Sequence, residues 1–423
     1  MTTKLKTNRA KAMKAMTTLR FTKRCGLAGM ILAGSLISTH GATRYVNVDN
    51  PRPAPPYANW ASAAQTIQDA VDTAAAGDEI VVTNGVYQTG ERVVDGAMPN
   101  RVAVTKPVTV RSVNGPEVTI IRGNQASQTT NGLGAVRCVY LGDGAALIGF
   151  TLTNGATLST GDYEREQSGG GVWCASTSAV VSNCTLRGNS ASRAGGGADR
   201  GTLYNCVLTG NSASFGGGVN AGTLNNCRLS GNSASLGGGG ASGGILSNCA
   251  LTGNSAGSFG GGALVSILST CTLTGNSAQS GGGGAYGGTL NNCSISRNAG
   301  GGVVGVCDEG CDLFDLHNCT VVENSPYGVK GWGTLVNCIV YYNEVVNYMP
   351  KFPLRTISFS NSCTIPLPTR GGGNITNCPL FDSIRLLHLR PNSPCINAGD
   401  NAFVSGGFDL DGNQRIFSST VDM

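Results

Sequence analysis

Along the middle of the chain, apolar and polar residues alternate only over short stretches before the phase changes. In one such stretch Cys227 and Leu229 share a face, with Arg228 and Ser230 on the other, the pattern of a half-buried strand. Leu224 is out of phase with Cys227, so the chain must bend between them. Asn225-Asn226 supplies that bend, because Asn tolerates the left-handed backbone that other side chains resist, and Gly231-Asn232 marks the next corner. No apolar period of 3.6 residues accompanies these strands. At 61–75, by contrast, Ile67, Ala70, Val71 and Ala74 fall on one helical face before a stop at Gly77, which predicts a short N-terminal helix covering an exposed end.

The strand-and-corner unit recurs. Asn-Cys pairs end at Cys184, Cys206, Cys227, Cys249, Cys293, Cys319 and Cys338, with Thr270-Cys271 filling the gap, at steps of 22, 21, 22, 22, 22, 26 and 19 residues. A second Asn column keeps register at Asn189, Asn211, Asn232, Asn254, Asn276, Asn298, Asn324 and Asn343, and Gly-Gly-Gly runs close most units. Such units are too short for strand–helix–strand crossovers, so equivalent positions must stack as coils of a solenoid. The expected fold is all-β: about a dozen coils of about 22 residues with a short capping helix. The expected organisation is a signal peptide at 1–42, an N-terminal cap and first strands at 43–100, the β-helix at 101–378 and a C-terminal cap region at 379–423.

Several segments carry a family likeness. The coils and the stretch Leu147-Ile148-Gly149-Phe150-Thr151-Leu152-Thr153-Asn154 resemble a right-handed parallel β-helix of the pectate-lyase-like type, most similar to the repeats of bacterial polymorphic outer-membrane and surface proteins. Gln65-Thr66-Ile67-Gln68-Asp69-Ala70-Val71 resembles the opening of secreted members. The ending Ser393-Pro394-Cys395-Ile396-Asn397-Ala398-Gly399-Asp400 with Asp409-Leu410-Asp411-Gly412-Asn413 resembles the region preceding an anchoring tail, which is then truncated at Met423. The resemblance implies an extracellular, glycan-related β-helix.

Composition supports a folded, low-charge chain: 64 of 423 residues are Gly, and only 13% are charged against 40% hydrophobic. The net charge of +5 is misleading. Eight basic residues from Lys4 to Arg24 precede the apolar run Gly26–Ile37 and the small residues Gly41 and Ala42, the form of a secretory signal. Beyond that leader 21 basic residues face 24 acidic ones, so nucleic acid is not an expected partner. The apolar run is too short to span a bilayer, and no transmembrane segment is expected after cleavage. The expected product is a monomer, secreted or held at the cell surface or outer membrane.

Candidate chemistry is sparse. The periodic cysteines are expected to form an inward ladder of free, slowly reacting thiols, because stacked strands hold their side chains parallel and too far apart for disulfides. Cys307 and Cys311, outside that register, are the candidate local disulfide. Past the leader the only histidines are His317 and His388, and between Gly169 and Val306 the only acid is Asp199, so the repeats carry no carboxylate pair. Polar clusters occupy two insertions: Asp162, Glu164, Arg165 and Glu166, and Asp308, Glu309, Asp312 and Asp315. Both are expected as solvated loops, with calcium or saccharide as the alternative, and folding is expected to survive removal of the charges at 162, 164 and 166. Asp409, Asp411 and Asn413 have the first spacing of a calcium loop without its last ligand and read as a capping turn. Thr209, Ser230, Thr252, Thr274 and Ser296 should form one outward hydroxyl column. Two functions stay open: a non-catalytic adhesive or glycan-contacting scaffold with no catalytic residues or cofactor, or a polysaccharide lyase, glycoside hydrolase or uronate epimerase using Asp162, Glu164, Arg165 and Glu166.

Overall fold

A computed structural model describes residues 41–305, 313–350, 357–404, 406–416 and 419–423. The leader up to residue 40, and with it most of the expected signal peptide, lies outside the described residues, as do Cys307, Asp308, Glu309, Cys311 and Asp312. The remainder is a parallel β-helix, and every pairing between named strands is parallel except Arg92–Val93 with Pro99–Val104.

Three strand stacks run the length of the solenoid. The first contains Arg137–Leu141, Val172–Cys174, Ala198–Asp199 and Val219–Asn220. The second contains Ala146–Ile148, Val180–Ser182, Thr202–Tyr204 and Thr223–Asn225. These two merge where Ala263–Ser269 and Ala285–Asn291 run through both. The third is a 12-stranded sheet from Gly85–Tyr87 to Cys363–Thr364. Leu186, Leu208, Leu229, Leu251 and Leu273 stack inward along it, fully buried, one per coil.

Each corner has a local cause. Between the second and third stacks Asn183, Asn205, Asn226, Asn248, Asn292, Asn318 and Asn337 all sit at φ between 52° and 55°, the left-handed conformation assigned to Asn226 from sequence. Thr270 occupies the same position at φ 55°, where a β-branched side chain is strained. In the Gly238-Gly239-Gly240 triplet, Gly238 has φ +70°, and a Cβ on Gly239 would lie 2.3 Å from the Ser255 carbonyl oxygen of the next coil. The triplet lets successive coils close at strand spacing.

The second Asn column fills the corner after the third stack and is buried. Asn232 shows the pattern: its Oδ1 accepts from the backbone N–H and Nδ2 of Asn211, while its Nδ2 donates to Leu208 O and Asn254 Oδ1 at 2.9 and 3.0 Å. The same bonds repeat from Asn189 to Asn343. A buried amide in this chain leaves no unmet donor or acceptor, which is what makes its burial tolerable.

Opposite this corner, Cys184, Cys206, Cys227, Cys249, Cys271 and Cys293 form the expected inward ladder, all free and at most 3% exposed, and Cys319 and Cys338 extend it. Burial pushes the Cys184 thiol up. At the N-terminal end α1 (Ile67–Thr73) buries Ile67, Ala70 and Val71 in the core. Thr66 caps its start, and Lys106 Nζ meets its last carbonyls, with 2.5 Å to Ala74 O.

The expectation of about a dozen 22-residue coils requires correction: about eight turns carry the regular repeat, and the remaining strands of the 12-stranded third stack belong to irregularly spaced segments at its ends. The Asn column marks the regular turns, from Asn189 to Asn343. Equal division by 22 fails because the early sheet strands are spaced by insertions, with Ile120 paired to Thr151 and Thr151 to Thr185. The segment 379–423 packs along the side of the last coils. Phe381, Cys395 and Met423 cluster with Val322 and Ile339, and Asn337 both donates to Asp400 O and accepts from Asp400 N–H.

Two outcomes test this account by chemical denaturation. Asn232→Ala should lower stability by about 2–4 kcal/mol, since it orphans buried groups on both adjacent coils. Thr270→Asn should raise it by about 1 kcal/mol by relieving the strained member of the left-handed column that contains Asn226; an unchanged or lowered midpoint would refute the corner argument.

Candidate functional site

The insertion at 159–168 does not present Asp162, Glu164, Arg165 and Glu166 toward one point. Asp162 Oδ1 accepts from the backbone N–H groups of Glu164 and Arg165 at 2.9 and 2.7 Å, fixing a turn. Glu166 is only 8% exposed, and its carboxylate accepts from Ala97 N at 2.5 Å and Asp162 N at 2.7 Å. The expectation of a wholly solvated loop is therefore corrected at Glu166, whose removal strips two backbone donors of their acceptor. Glu164 pairs with Arg200 at 2.7 Å and Arg165 with Asp95 at 3.2 Å, both on the exposed side.

What the loop does is cover. The Glu164 carbonyl accepts from Trp173 Nε1 at 2.8 Å, and the indole stacks on Tyr140 at 5.0 Å. Fully buried Arg137 donates to the carbonyls of Arg165, Ser168 and Gly169 and to Asn100 Oδ1, and burial lowers its pKa to about 10. Beside it Asp199, 2% exposed, accepts from Asn220 Nδ2 at 2.7 Å. Burial raises its pKa to about 6.

A second site was not assembled by sequence reasoning. The outer face of the third stack and the C-terminal segment enclose a cleft of about 1290 Å³. Its floor contains Arg228, Thr272, Thr274, Ser294, Ser296 and Arg297. The expected hydroxyl column forms along the stack, with Ser230 Oγ donating to Thr209 Oγ1 at 3.2 Å, and its members Thr274 and Ser296, with hydroxyls 3.3 Å apart, lie in the cleft. The facing wall brings Arg385, His388, Asp409, Asp411 and Asp422.

The acids of that wall are already engaged. His388 Nε2 lies 3.0 Å from an Asp411 carboxylate oxygen. Asp409 Oδ1 accepts from the N–H groups of Asp411 and Asn413, making the capping turn read from its sequence, and Asp422 Oδ1 accepts from Asn397 N at 2.7 Å. Arg228 is exposed on the floor and makes no ion pair among the described residues. The cleft thus offers hydroxyls in rows set by the strand spacing, with amides, the exposed Arg228 and an Arg297 already paired with Glu323 at 2.7 Å beside them, a surface that exchanges hydrogen bonds with a polyhydroxylated chain. Asp315, in the other insertion, accepts from Thr334 Oγ1 on the neighbouring strand and lies on the second stack, away from this floor. Among the described residues no helix is long and apolar enough to cross a membrane.

One signal for the cleft was present in the sequence. The outward positions that hold Thr272, Ser294 and Thr320, or Thr274 and Ser296, become Ile339 and then Val322 and Tyr341 at the last coils. That switch to apolar residues marks where the C-terminal segment docks.

No family model matches the chain, and no curated protein matches it. Among solved structures it is similar to the pectate lyase Pel9A, at 13% identity and a TM-score of 0.49, covering 88% of this chain and 96% of that one. It is also similar to the mannuronan C-5 epimerase AlgE6 A-module of Azotobacter vinelandii, at 14% identity and a TM-score of 0.37, covering 70% and 80%. An alginate lyase of Paenibacillus sp. str. FPU-7 shows 12% identity and a TM-score of 0.35, covering 69% and 94%.

The raised Asp199 carboxyl has a consequence for stability. Its folded pKa of about 6 exceeds the ordinary value of 3.8, so the folded state holds the proton more tightly. The group therefore favours folding below about pH 4 and loses that contribution as pH rises through about 6. Asp199→Asn should raise stability at pH 7 by about 2 kcal/mol and flatten the pH 4–6 slope, measured by denaturant titration across pH. An unchanged slope would show that this carboxyl is not the group responsible.

Proposed function

We propose that the protein is an exported, non-catalytic β-helix that holds a polysaccharide in the cleft between the third stack and the C-terminal segment. The carrying observation is the cleft floor: hydroxyls on neighbouring coils, flanked by Arg228 and Arg297, face a wall bearing Arg385. Strand spacing repeats the hydroxyls along the axis, from Thr272 to Ser294 and Thr320, so an extended glycan could meet equivalent partners at successive coils. The cleft carboxylates serve turns and a contact with His388, which favours binding over acid–base chemistry. The enzyme reading draws on one feature of the same cleft, His388 beside Asp411, a pair able to accept and hold a proton.

Affinity electrophoresis of the purified protein in gels containing acidic and neutral polysaccharides tests this reading. Retention by at least one polymer is expected, with Arg228→Glu weakening it about tenfold, or about 1.4 kcal/mol, and leaving the unfolding midpoint in place because the side chain is exposed. Release of unsaturated or reducing ends, abolished by His388→Ala, would replace the scaffold reading with the enzyme one. Absence of retention by every polymer would remove the glycan assignment.

A further inference from the structure

The cysteine pattern changes at the last coil. From Cys184 to Cys338 each coil places its ladder cysteine inward, but in the last coil Ser362 takes that place, its Oγ accepting from the Cys338 N–H at 3.0 Å. Cys363 follows at the position paired with Ile339, in the outward row that holds Thr272, Ser294 and Thr320 in earlier coils. An outward cysteine would be exposed there were it not covered by the C-terminal segment.

What covers it is another cysteine. Cys395, on that segment, is 0% exposed, as is Cys363, and the two belong to one apolar cluster with Ile339, Phe381 and Met423. Both are free thiols in that cluster, and Cys363 Sγ donates to the Asn377 carbonyl at 3.1 Å. Cys395 is held from both sides: its carbonyl accepts from Met423 N at 3.0 Å and its N–H meets Ser393 Oγ at 3.2 Å. We infer that Cys363 and Cys395 form a disulfide when the chain folds in the presence of a disulfide oxidant, pinning the C-terminal wall of the cleft to the last strand of the third stack.

The ladder thiols also succeed one another closely, with Cys206 N–H donating to Cys227 Sγ, yet their geometry is set differently. Each belongs to a coil stacked by β-pairing, which holds side chains parallel at about 4.8 Å, beyond the 3.5–4.5 Å that Cβ atoms need in a disulfide. Cys395 lies outside any strand, so its segment can close on Cys363 without moving a coil. With oxidised glutathione as oxidant, a thiolate of the pair attacks the glutathione disulfide and releases one glutathione thiol. The second cysteine then attacks the mixed disulfide and releases the other. One S–S bond breaks and one forms, both cysteine sulfurs are oxidised, two glutathione thiols are produced and they take up the two protons. The nearest competitor is Cys378, which is exposed and contacts the Tyr342 hydroxyl.

The test refolds the reduced, denatured full chain in a glutathione redox buffer, alkylates free thiols after unfolding, and maps linkages by peptide mass spectrometry without reduction. The expected product contains a peptide pair joining Cys363 to Cys395, with Cys378 and the ladder cysteines alkylated. In Cys363→Ser, where a hydroxyl replaces the thiol in a row already rich in hydroxyls, Cys395 should appear alkylated. Limited proteolysis adds a readout independent of that variant: the fragment containing Cys395 should stay attached to the solenoid until a reductant is added. Recovery of both cysteines as alkylated thiols, or of either one joined to Cys378 or any other cysteine, would overturn the assignment.

Discussion

One constraint governs this molecule: each coil must be superposable on the next at the spacing of hydrogen-bonded parallel strands. A single unmatched polar group at an inward corner would be buried in every coil, and its cost would multiply along the axis. The buried asparagine column meets that constraint because each amide bonds the coil before it and the coil after it. Glycines such as Gly239, where any side chain would strike the next coil, and left-handed corners such as Asn226 follow from the same demand. Stability in such an array comes from nearest neighbours, so the middle coils can be nearly identical without loss of a unique structure.

Function has to enter where the repetition stops. The inward face is committed to leucine, cysteine and asparagine, whereas the outward rows of the third stack are free to vary, and they change from hydroxyl to apolar residues near Val322 and Ile339. That change seats the C-terminal segment, and its seating turns an open face into a cleft. The loop at 159–168 is a different kind of departure. Its charged residues close a roof over Trp173 and Arg137, so most of their chemistry is spent on the protein itself.

The coils were legible because periodic constraints write periodic sequence: the inward cysteines, the left-handed Asn226 and the outward Ser230 row all follow from spacing alone. The turn at Asp409 was legible too, since an Asx turn needs only local partners. Glu166 was misread because nothing in its neighbourhood reveals a partner as distant as Ala97. The cleft was missed for the same reason. Arg385, His388 and Asp411 lie in a segment with no period, and their position depends on an apolar contact between residues far apart in the chain.

The asparagine column also has a direction. From Asn189 onward every amide-to-amide bond within this column is donated by the earlier coil to the later one. Backbone bonds between the coils run both ways, as Val172 to Gly197 and Val180 to Ala145 show, so they have no such polarity. The side-chain amides therefore form a one-way wire of aligned dipoles through the solenoid, and its two ends are chemically unlike. At its start Asn189 presents an acceptor, met by the Gly155 N–H. At its finish the last donors are met by Asn347, which hands its own on to the Ile365 carbonyl. A coil could be inserted into or excised from the middle of this array and the bonds would rejoin head to tail, but neither terminus could stand in for the other.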